Sequence, residues 1–362
     1  MGTVEEIRVS GQLSRAKLIK TSLKLTKLIT TNYLVQQLPI MAIISSCTAR
    51  TLTDAATSIR AGNLVAFPTE TVYGLGADAT NAQAVAKLYA AKARPTDHPL
   101  IVHISSMANL DRWASQVPEY AIKLARTFWP GPMTLILPRA NLAQDFITGS
   151  QDNVALRVPA HSLALALLVE FEAQGGLGVA APSANRFGQV SPTSADAVYE
   201  ELADYLTPND LILDGGPCQV GVESTIINCT QSVPKILRPG AITATMIFDH
   251  LGLVVKQIYS GSNNLKIKAP GLLQSHYAPK AKVFLSTTPK PGDGFIALAT
   301  TPTPAGVIRL ASPKNNQEYA QLLYQALRLA DSKQLPNVIV IPPSGDDMAL
   351  AIIDRLQKCK FK

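Results

Sequence analysis

Phe67-Pro68-Thr69-Glu70-Thr71-Val72-Tyr73-Gly74-Leu75-Gly76, followed by Lys92-Ala93-Arg94-Pro95 and His98-Pro99-Leu100-Ile101-Val102-His103, decides how this chain is read. Residues 63–67 form an apolar run closed off by Gly62 and Pro68, the pattern of a buried strand. Residues 81–92 place apolar side chains at helical spacing behind Asn81, a residue suited to capping. The segment therefore predicts strand, hydroxyl- and glycine-rich loop, helix, cationic loop and strand, with its polar groups gathered at element ends. Such ends offer hydroxyls and free backbone N–H groups to a small polar ligand. Lys92 and Arg94 add fixed positive charge, which suits an anionic substrate.

Taken singly, these signals have bland counterparts. Gly74-Leu75-Gly76 lacks the third glycine of a dinucleotide fingerprint and no GxxxxGK[ST] loop occurs, so the glycines equally make a tight turn. Lys92 and Arg94 equally mark a solvated helix end, where cations are favoured.

Working outward, residues 100–104, 133–137, 154–158, 177–181, 211–214 and 224–229 read as strands, and 54–60, 121–128, 163–171 and 195–205 as helices. This alternation predicts an α/β domain with a mixed sheet. Residues 261–279 lose periodicity and gain glycine and proline, as a linker does. Beyond it, strands at 282–285, 295–299, 307–310 and 338–341 with helices at 318–330 and 348–356 fit a small C-terminal Rossmann-like α/β domain. The expected boundaries are a disordered N-terminal extension over 1–45, a catalytic domain over 46–255, a linker and lid over 256–279, and the second domain over 280–362.

The composition narrows the function classes. With 362 residues, 47% of them hydrophobic, the chain can bury a sizeable core. No apolar run reaches the length needed to span a bilayer, so no membrane role is expected. Cys47, Cys218, Cys229 and Cys359 are widely spaced with no CxxC pair, which suits reduced thiols in a cytoplasmic protein better than disulfides or a zinc site. His98 and His103, five apart, would fall on opposite faces of one strand and should not share a metal. The net charge of +7 is concentrated at the start: residues 1–40 hold six Lys/Arg and two acids, net +4, leaving +3 for the remainder. That is thin for a nucleic-acid surface. The leading segment has no apolar h-region or cleavage site, and Met41 is the expected natural start.

The combination of PTETVYGLG, KxRP and HPLIVH with Ser183-Ala184-Asn185 and Ser191-Pro192-Thr193 resembles the YrdC-like family, the threonylcarbamoyl-AMP synthases. Gly221-Val222-Glu223-Ser224-Thr225-Ile226, Leu237-Arg238-Pro239-Gly240 and Ala269-Pro270-Gly271 with His276-Tyr277-Ala278-Pro279 resemble its long, two-domain form. The resemblance implies a YrdC-like twisted mixed sheet with a concave groove. It also implies formation of threonylcarbamoyl-AMP and pyrophosphate from L-threonine, bicarbonate and ATP. A downstream tRNA threonylcarbamoyl transferase complex then uses the product beside the anticodon.

The family's motifs carry over residue by residue. Lys92, Arg94, Ser183 and Asn185 match the catalytic KxR and SxN positions. ATP contacts are implied at those four and at His98, Asn153, Ser191, Arg238, His276 and Tyr277. L-threonine contacts are implied at Thr71, His103, Arg157, the backbone of Ala181 and Ser224, with Arg157 as the bidentate carboxylate partner. Ser191-Pro192-Thr193 also reads as a helix cap before Ala195, a dual use. Where many members carry an aromatic and a basic residue between Pro-Gly and His-Tyr, this chain has Leu272, Leu273, Gln274 and Ser275. No carboxylate cluster suggests a metal cage, so Mg²⁺ dependence is expected with the ion held mainly by ATP phosphates. A double-stranded RNA-binding or translation-associated module using the same groove is the alternative from another class, and weak RNA binding is compatible with either. Carbamoyl-phosphate handling is a third reading, set aside because the chain lacks acylphosphatase and zinc-finger segments.

Overall fold

The structure, a computed structural model, describes residues 43–44, 48–257, 267–271, 277–345 and 348–360. The expected N-terminal extension, except Ile43 and Ile44, and residues 258–266 and 272–276 of the expected linker lie outside the described residues. Eleven strands form one mixed sheet: β1 Ile43–Ile44, β2 Val65–Phe67, β3 Gly74–Asp78, β4 Ile101–His103, β5 Met133–Pro138, β6 Asn153–Arg157, β7 Val179–Ala180, β8 Leu211–Leu213, β9 Thr225–Asn228, β10 Lys235–Arg238 and β11 Lys256–Gln257. Their spatial order is β1-β8-β2-β3-β7-β4-β6-β5-β9-β10-β11. A second sheet, wholly parallel, has the order β12-β15-β13-β14, formed by Lys282–Leu285, Gly294–Ile296, Ile308–Ala311 and Asn337–Val340 in chain order. The α/β class with a large mixed sheet and a smaller parallel one is therefore as expected.

The helices that frame the sheets are α1 Ala49–Arg60, α2 Ala82–Lys92, α3 Glu119–Phe128, α4 Ser162–Ala173, α5 Ala195–Leu202, α6 Ala244–Leu251, α7 Asn316–Ser332 and α8 Met348–Cys359. In α2 the Asn81 side chain accepts from the N–H groups of Gln83 and Ala84. That helix ends where Ala93 adopts a left-handed conformation at φ 48°, which turns Arg94 back toward the sheet. α1 begins five residues earlier than expected, because Thr48 and Thr51 cap each other reciprocally. The cap of α5 is Ser194, which accepts from Ala197 N–H, and not the Ser191-Pro192-Thr193 stretch. Ser191 is spent elsewhere.

The expected loop after Pro68 is shorter than the sequence suggested, since residues 74–78 form β3 between β2 and β7. Gly76 is there for packing. A Cβ on it would lie 2.8 Å from both the Phe67 ring and a Val179 methyl, closer than such atoms approach.

The two sheets share apolar packing. Val72, Val190 and Val222 from the larger part are buried in one cluster with Tyr277, Tyr319, Tyr324 and Leu356 around the smaller sheet. Gly221, at φ +80°, lies against α7 so closely that a Cβ would meet the Ala320 carbonyl oxygen at 2.4 Å. Among the described residues no helix is long and apolar enough to cross a membrane.

Candidate active site

β4 and β6 run parallel and in register, with His103 directly beside Arg157 at their ends. Both are buried, and both face a cavity of about 50 Å³. Its wall is built from five short segments: Thr69 with Thr71 to Gly74, Ile101 with His103, Ala181 to Ser183, Glu223 with Ser224, and Pro270 with Gly271, together with Arg94, Arg157, Arg238 and Tyr277. The strand ends supply the positions because backbone pairing stops there and leaves side chains pointing into the gap.

All five expected threonine-side residues, Thr71, His103, Arg157, Ala181 and Ser224, converge on this cavity. The hydroxyl-rich turn after Pro68 is tied by Thr69, whose Oγ1 donates to the Val72 carbonyl at 2.7 Å and lies 2.8 Å from Thr71 Oγ1. Arg157 donates from Nη1 to Thr71 Oγ1 at 2.9 Å and from Nε to the Gly131 carbonyl at 3.3 Å. Its Nη2 lies 2.8 Å from Glu70 Oε2, yet neither that nitrogen nor either Glu70 oxygen makes an aligned hydrogen bond within the described residues. The ion pair is close but not locked. His103 Nδ1 is likewise buried without a partner there. Burial, and after it the charge of Arg157, pushes the His103 imidazole down to about 3, so this ring is neutral across the ordinary pH range.

The expected nucleotide residues divide. Arg94, Ser183, Arg238 and Tyr277 line the cavity. Arg94 donates from Nη2 to the Pro99 carbonyl at 2.8 Å and lies 5.7 Å above the Phe187 ring. Arg238 donates to the carbonyl and hydroxyl oxygens of Ser224, both at 3.0 Å, and to the Pro270 carbonyl at 3.1 Å. Only 8% and 3% exposed, these two guanidinium groups meet no carboxylate partner among the described residues. Burial pushes Arg94 down to about 10 and lowers Arg238 as well, and the two repel each other. Arg238 faces inward because the β9–β10 register slips between Ile236 and Arg238, a bulge that re-aims the side chain.

Lys92, His98, Asn153, Asn185 and Ser191 lie off the cavity wall. Lys92 is 1% exposed, and its Nζ donates to the Ser183 and Asn185 carbonyls, so it braces the SxN loop from behind. Burial holds its ammonium well below the usual lysine range. Asn185 donates to the Arg186 and Gln189 carbonyls at 2.8 Å each, which closes the same loop. Ser191 Oγ donates to Glu223 Oε1 at 2.6 Å. His98 is half-buried with its ring edge on Phe187, and Asn153 begins β6, paired with Pro138. His276 lies outside the described residues.

Glu70, Glu223, Thr134 and Tyr324 were not read from the sequence. Thr134 Oγ1 lies 2.7 Å from Ser224 Oγ and holds that hydroxyl in place. A signal did exist for the two acids: each is a lone carboxylate inside an otherwise uncharged motif, which burial permits only beside a cation. Their cations are Arg157 for Glu70 and Arg355 of α8 for Glu223.

Comparison with known proteins shows the family. Residues 57–240 match the family model Sua5_yciO_yrdC, described as telomere recombination, and residues 242–359 match the model of the threonylcarbamoyl-AMP synthase C-terminal domain. Proteins named threonylcarbamoyl-AMP synthase from Bacillus subtilis and Pyrococcus abyssi are each 39% identical to the chain. The first alignment covers 85% of this chain and 92% of the relative, the second 84% and 92%. A crystal structure of P. abyssi Sua5 complexed with L-threonine superposes with a TM-score of 0.78 at 36% identity, covering 87% of this chain and 96% of that one. The chain belongs to the Sua5/YciO/YrdC family.

Proposed function

We propose that this protein is a threonylcarbamoyl-AMP synthase, a cytoplasmic nucleotidyltransferase that converts L-threonine, bicarbonate and ATP into threonylcarbamoyl-AMP and pyrophosphate. The product serves a transferase complex that modifies tRNA adenosine beside the anticodon. The observation that carries this reading is the pair Arg94 and Arg238. Two buried guanidinium groups on one small cavity, each bonded only to neutral acceptors, leave positive charge that an anionic ligand would compensate. Duplex RNA cannot reach charges so enclosed, which disfavours the RNA-binding alternative.

In this reading Arg157 takes the threonine carboxylate, with Thr71 and Ser224 as hydroxyl partners and the neutral His103 offering an unpartnered ring nitrogen. Arg94 and Arg238 hold the ATP phosphates on the facing wall, and Ser183 contacts the nucleotide. Lys92, Asn185 and Ser191 act by fixing the loops that carry those groups. The chain's part is to juxtapose the carbamate with the α-phosphate and to keep water from the mixed anhydride. Mg²⁺ supplies charge neutralisation on the triphosphate when bound. Among the described residues no three His, Cys, Asp or Glu side chains converge on a metal position, so no residue is assigned to it.

A cavity of about 50 Å³ is far smaller than sites that hold a drug-sized ligand. Pro270, Gly271 and Tyr277 form part of its wall, which supports reading residues 256–279 as linker and lid between parts 46–255 and 280–362. Pyrophosphate release that requires threonine, bicarbonate and ATP together tests the proposal. Release independent of threonine, or none, would overturn it.

A further inference from the structure

Glu223 and Arg238 stand on the same wall of the cavity, flanking Ser224, yet their charges are not paired with each other. Glu223 is committed to the C-terminal part. Arg355, fully buried in α8, donates from Nε to Glu223 Oε2 at 2.8 Å and from Nη2 to the Glu223 carbonyl at 3.3 Å. Tyr324 Oη lies 3.2 and 3.0 Å from the two carboxylate oxygens, and Ser191 donates to Oε1 at 2.6 Å. Arg355 also donates to the Pro239 carbonyl at 2.9 Å and to Asp354 at 2.6 Å, and its guanidinium lies 5.6 Å from the centre of the Tyr277 ring.

Among the described ion pairs the charges on this side close without Arg238. Asp354 also pairs with Lys358 at 2.6 Å, so Arg355 and Lys358 balance Asp354 and Glu223. Arg238 is left with neutral acceptors only. Burial raises the Glu223 carboxyl, but Arg355 and then Arg238 bring it down to about 2, so both guanidinium groups lie within its field. Glu223 is thus a carboxylate between two arginines whose hydrogen bonds go to one of them.

We propose that Arg355 is a positioning residue: by claiming Glu223 it keeps the charge of Arg238 uncancelled and aimed at the cavity, so the C-terminal part helps to build the anion-binding wall. Without Arg355 the carboxylate turns to Arg238, draws it from Ser224 and neutralises it. This inference rests on the proposed function only in taking ATP as the anion.

The test measures ATP and threonine binding by calorimetry on full-length wild type, Arg355→Met, Arg355→Lys, Glu223→Gln and the double variant Glu223→Gln/Arg355→Met, with melting curves alongside. Arg355→Met should weaken ATP binding by about tenfold or more, the scale of one charge interaction in a desolvated site, while threonine binding changes far less. Arg355→Lys should restore part of the loss. The double variant should regain most of it, because an amide cannot cancel Arg238; a merely structural anchor gives no such recovery. Should Arg355→Met fail to fold, Arg355→Lys decides: it must bind ATP more weakly than wild type and recover when Glu223→Gln is added. Unchanged ATP affinity in Arg355→Met, parallel loss of both ligands, or a double variant as weak as the single one overturns the inference. Wild-type protein that binds no ATP overturns the proposed function with it, whereas wild-type binding alongside any of those variant results overturns this inference alone.

Discussion

Replacing Arg157 by alanine is the most direct probe of the threonine side, and the structure makes its expected size twofold in origin. The guanidinium is the only cation beside Glu70 among the described ion pairs, and both are buried. Removing it strips the substrate carboxylate of a charge-assisted partner, which costs on the order of 2–4 kcal/mol, about thirty- to a thousand-fold in Kd. It also strands Glu70 as an uncompensated buried carboxylate, which costs about 3–5 kcal/mol of folding stability. The second effect would masquerade as the first if activity alone were measured. Pairing Arg157→Ala with Glu70→Gln separates them: the double variant should recover most of the stability in urea unfolding while its threonine affinity, read by calorimetry, stays low. A folded double variant that binds threonine like the wild type would refute the assignment of Arg157 to the carboxylate.

Three other outcomes follow from the same geometry. His103, held at about 3 in the folded state against an ordinary value near 6.5, leaves the unfolded chain binding the extra proton between those values. Stability should therefore fall as pH drops through that window, by up to about 1.4 kcal/mol per unit from this group, and His103→Gln should flatten the acid limb of urea unfolding measured across it. Lys92→Met should lower the melting temperature more than Arg94→Ala, since it orphans the Asn185 carbonyl, at about 1–3 kcal/mol, and leaves the Ser183 carbonyl with the Asn185 N–H alone, whereas Arg94→Ala should chiefly weaken ATP binding; calorimetry and thermal melting showing the reverse order would contradict these placements. Ending the chain before residue 260 should abolish adenylate synthesis and destabilise the remainder, because Val72, Val190 and Val222 lose their apolar cover and Glu223 loses Arg355 and Tyr324; a fragment that melts cooperatively at the full-length temperature would refute the shared packing.

Much of the framework was legible because it rests on local patterns. The Asn81 cap, the helix to Lys92 and the apolar strands ending in His103 and Arg157 are periodicity and capping signals that tertiary packing did not override. β3 was hidden because Gly74-Leu75-Gly76 has turn composition, while Gly76 answers to the Phe67 and Val179 side chains packed against it. β10 and α6 were missed as well, their short runs being masked by the Arg-Pro-Gly motif between them. The cavity residues clustered by motif, yet which cations face the ligand was not readable. Lys92 and Arg94 are two positions apart, and only the left-handed turn at Ala93 sends one behind the loop and the other into the cavity. Arg355 was not singled out, because its partner Glu223 lies 132 positions away and reaches it only through folding.

The bulge in β10 gives the site an unusual kind of fragility. Whether Arg238 looks inward depends on one surplus residue between Ile236 and the guanidinium, not on any particular side chain. Unbroken register, with Arg238 opposite Thr225 instead of Ile226, would keep every polar group of the site in the sequence and yet turn the arginine to the opposite face of the strand. A homologue that keeps this arginine but pairs the two strands without the slip would be credited with an anion-binding arginine that points away from the ligand.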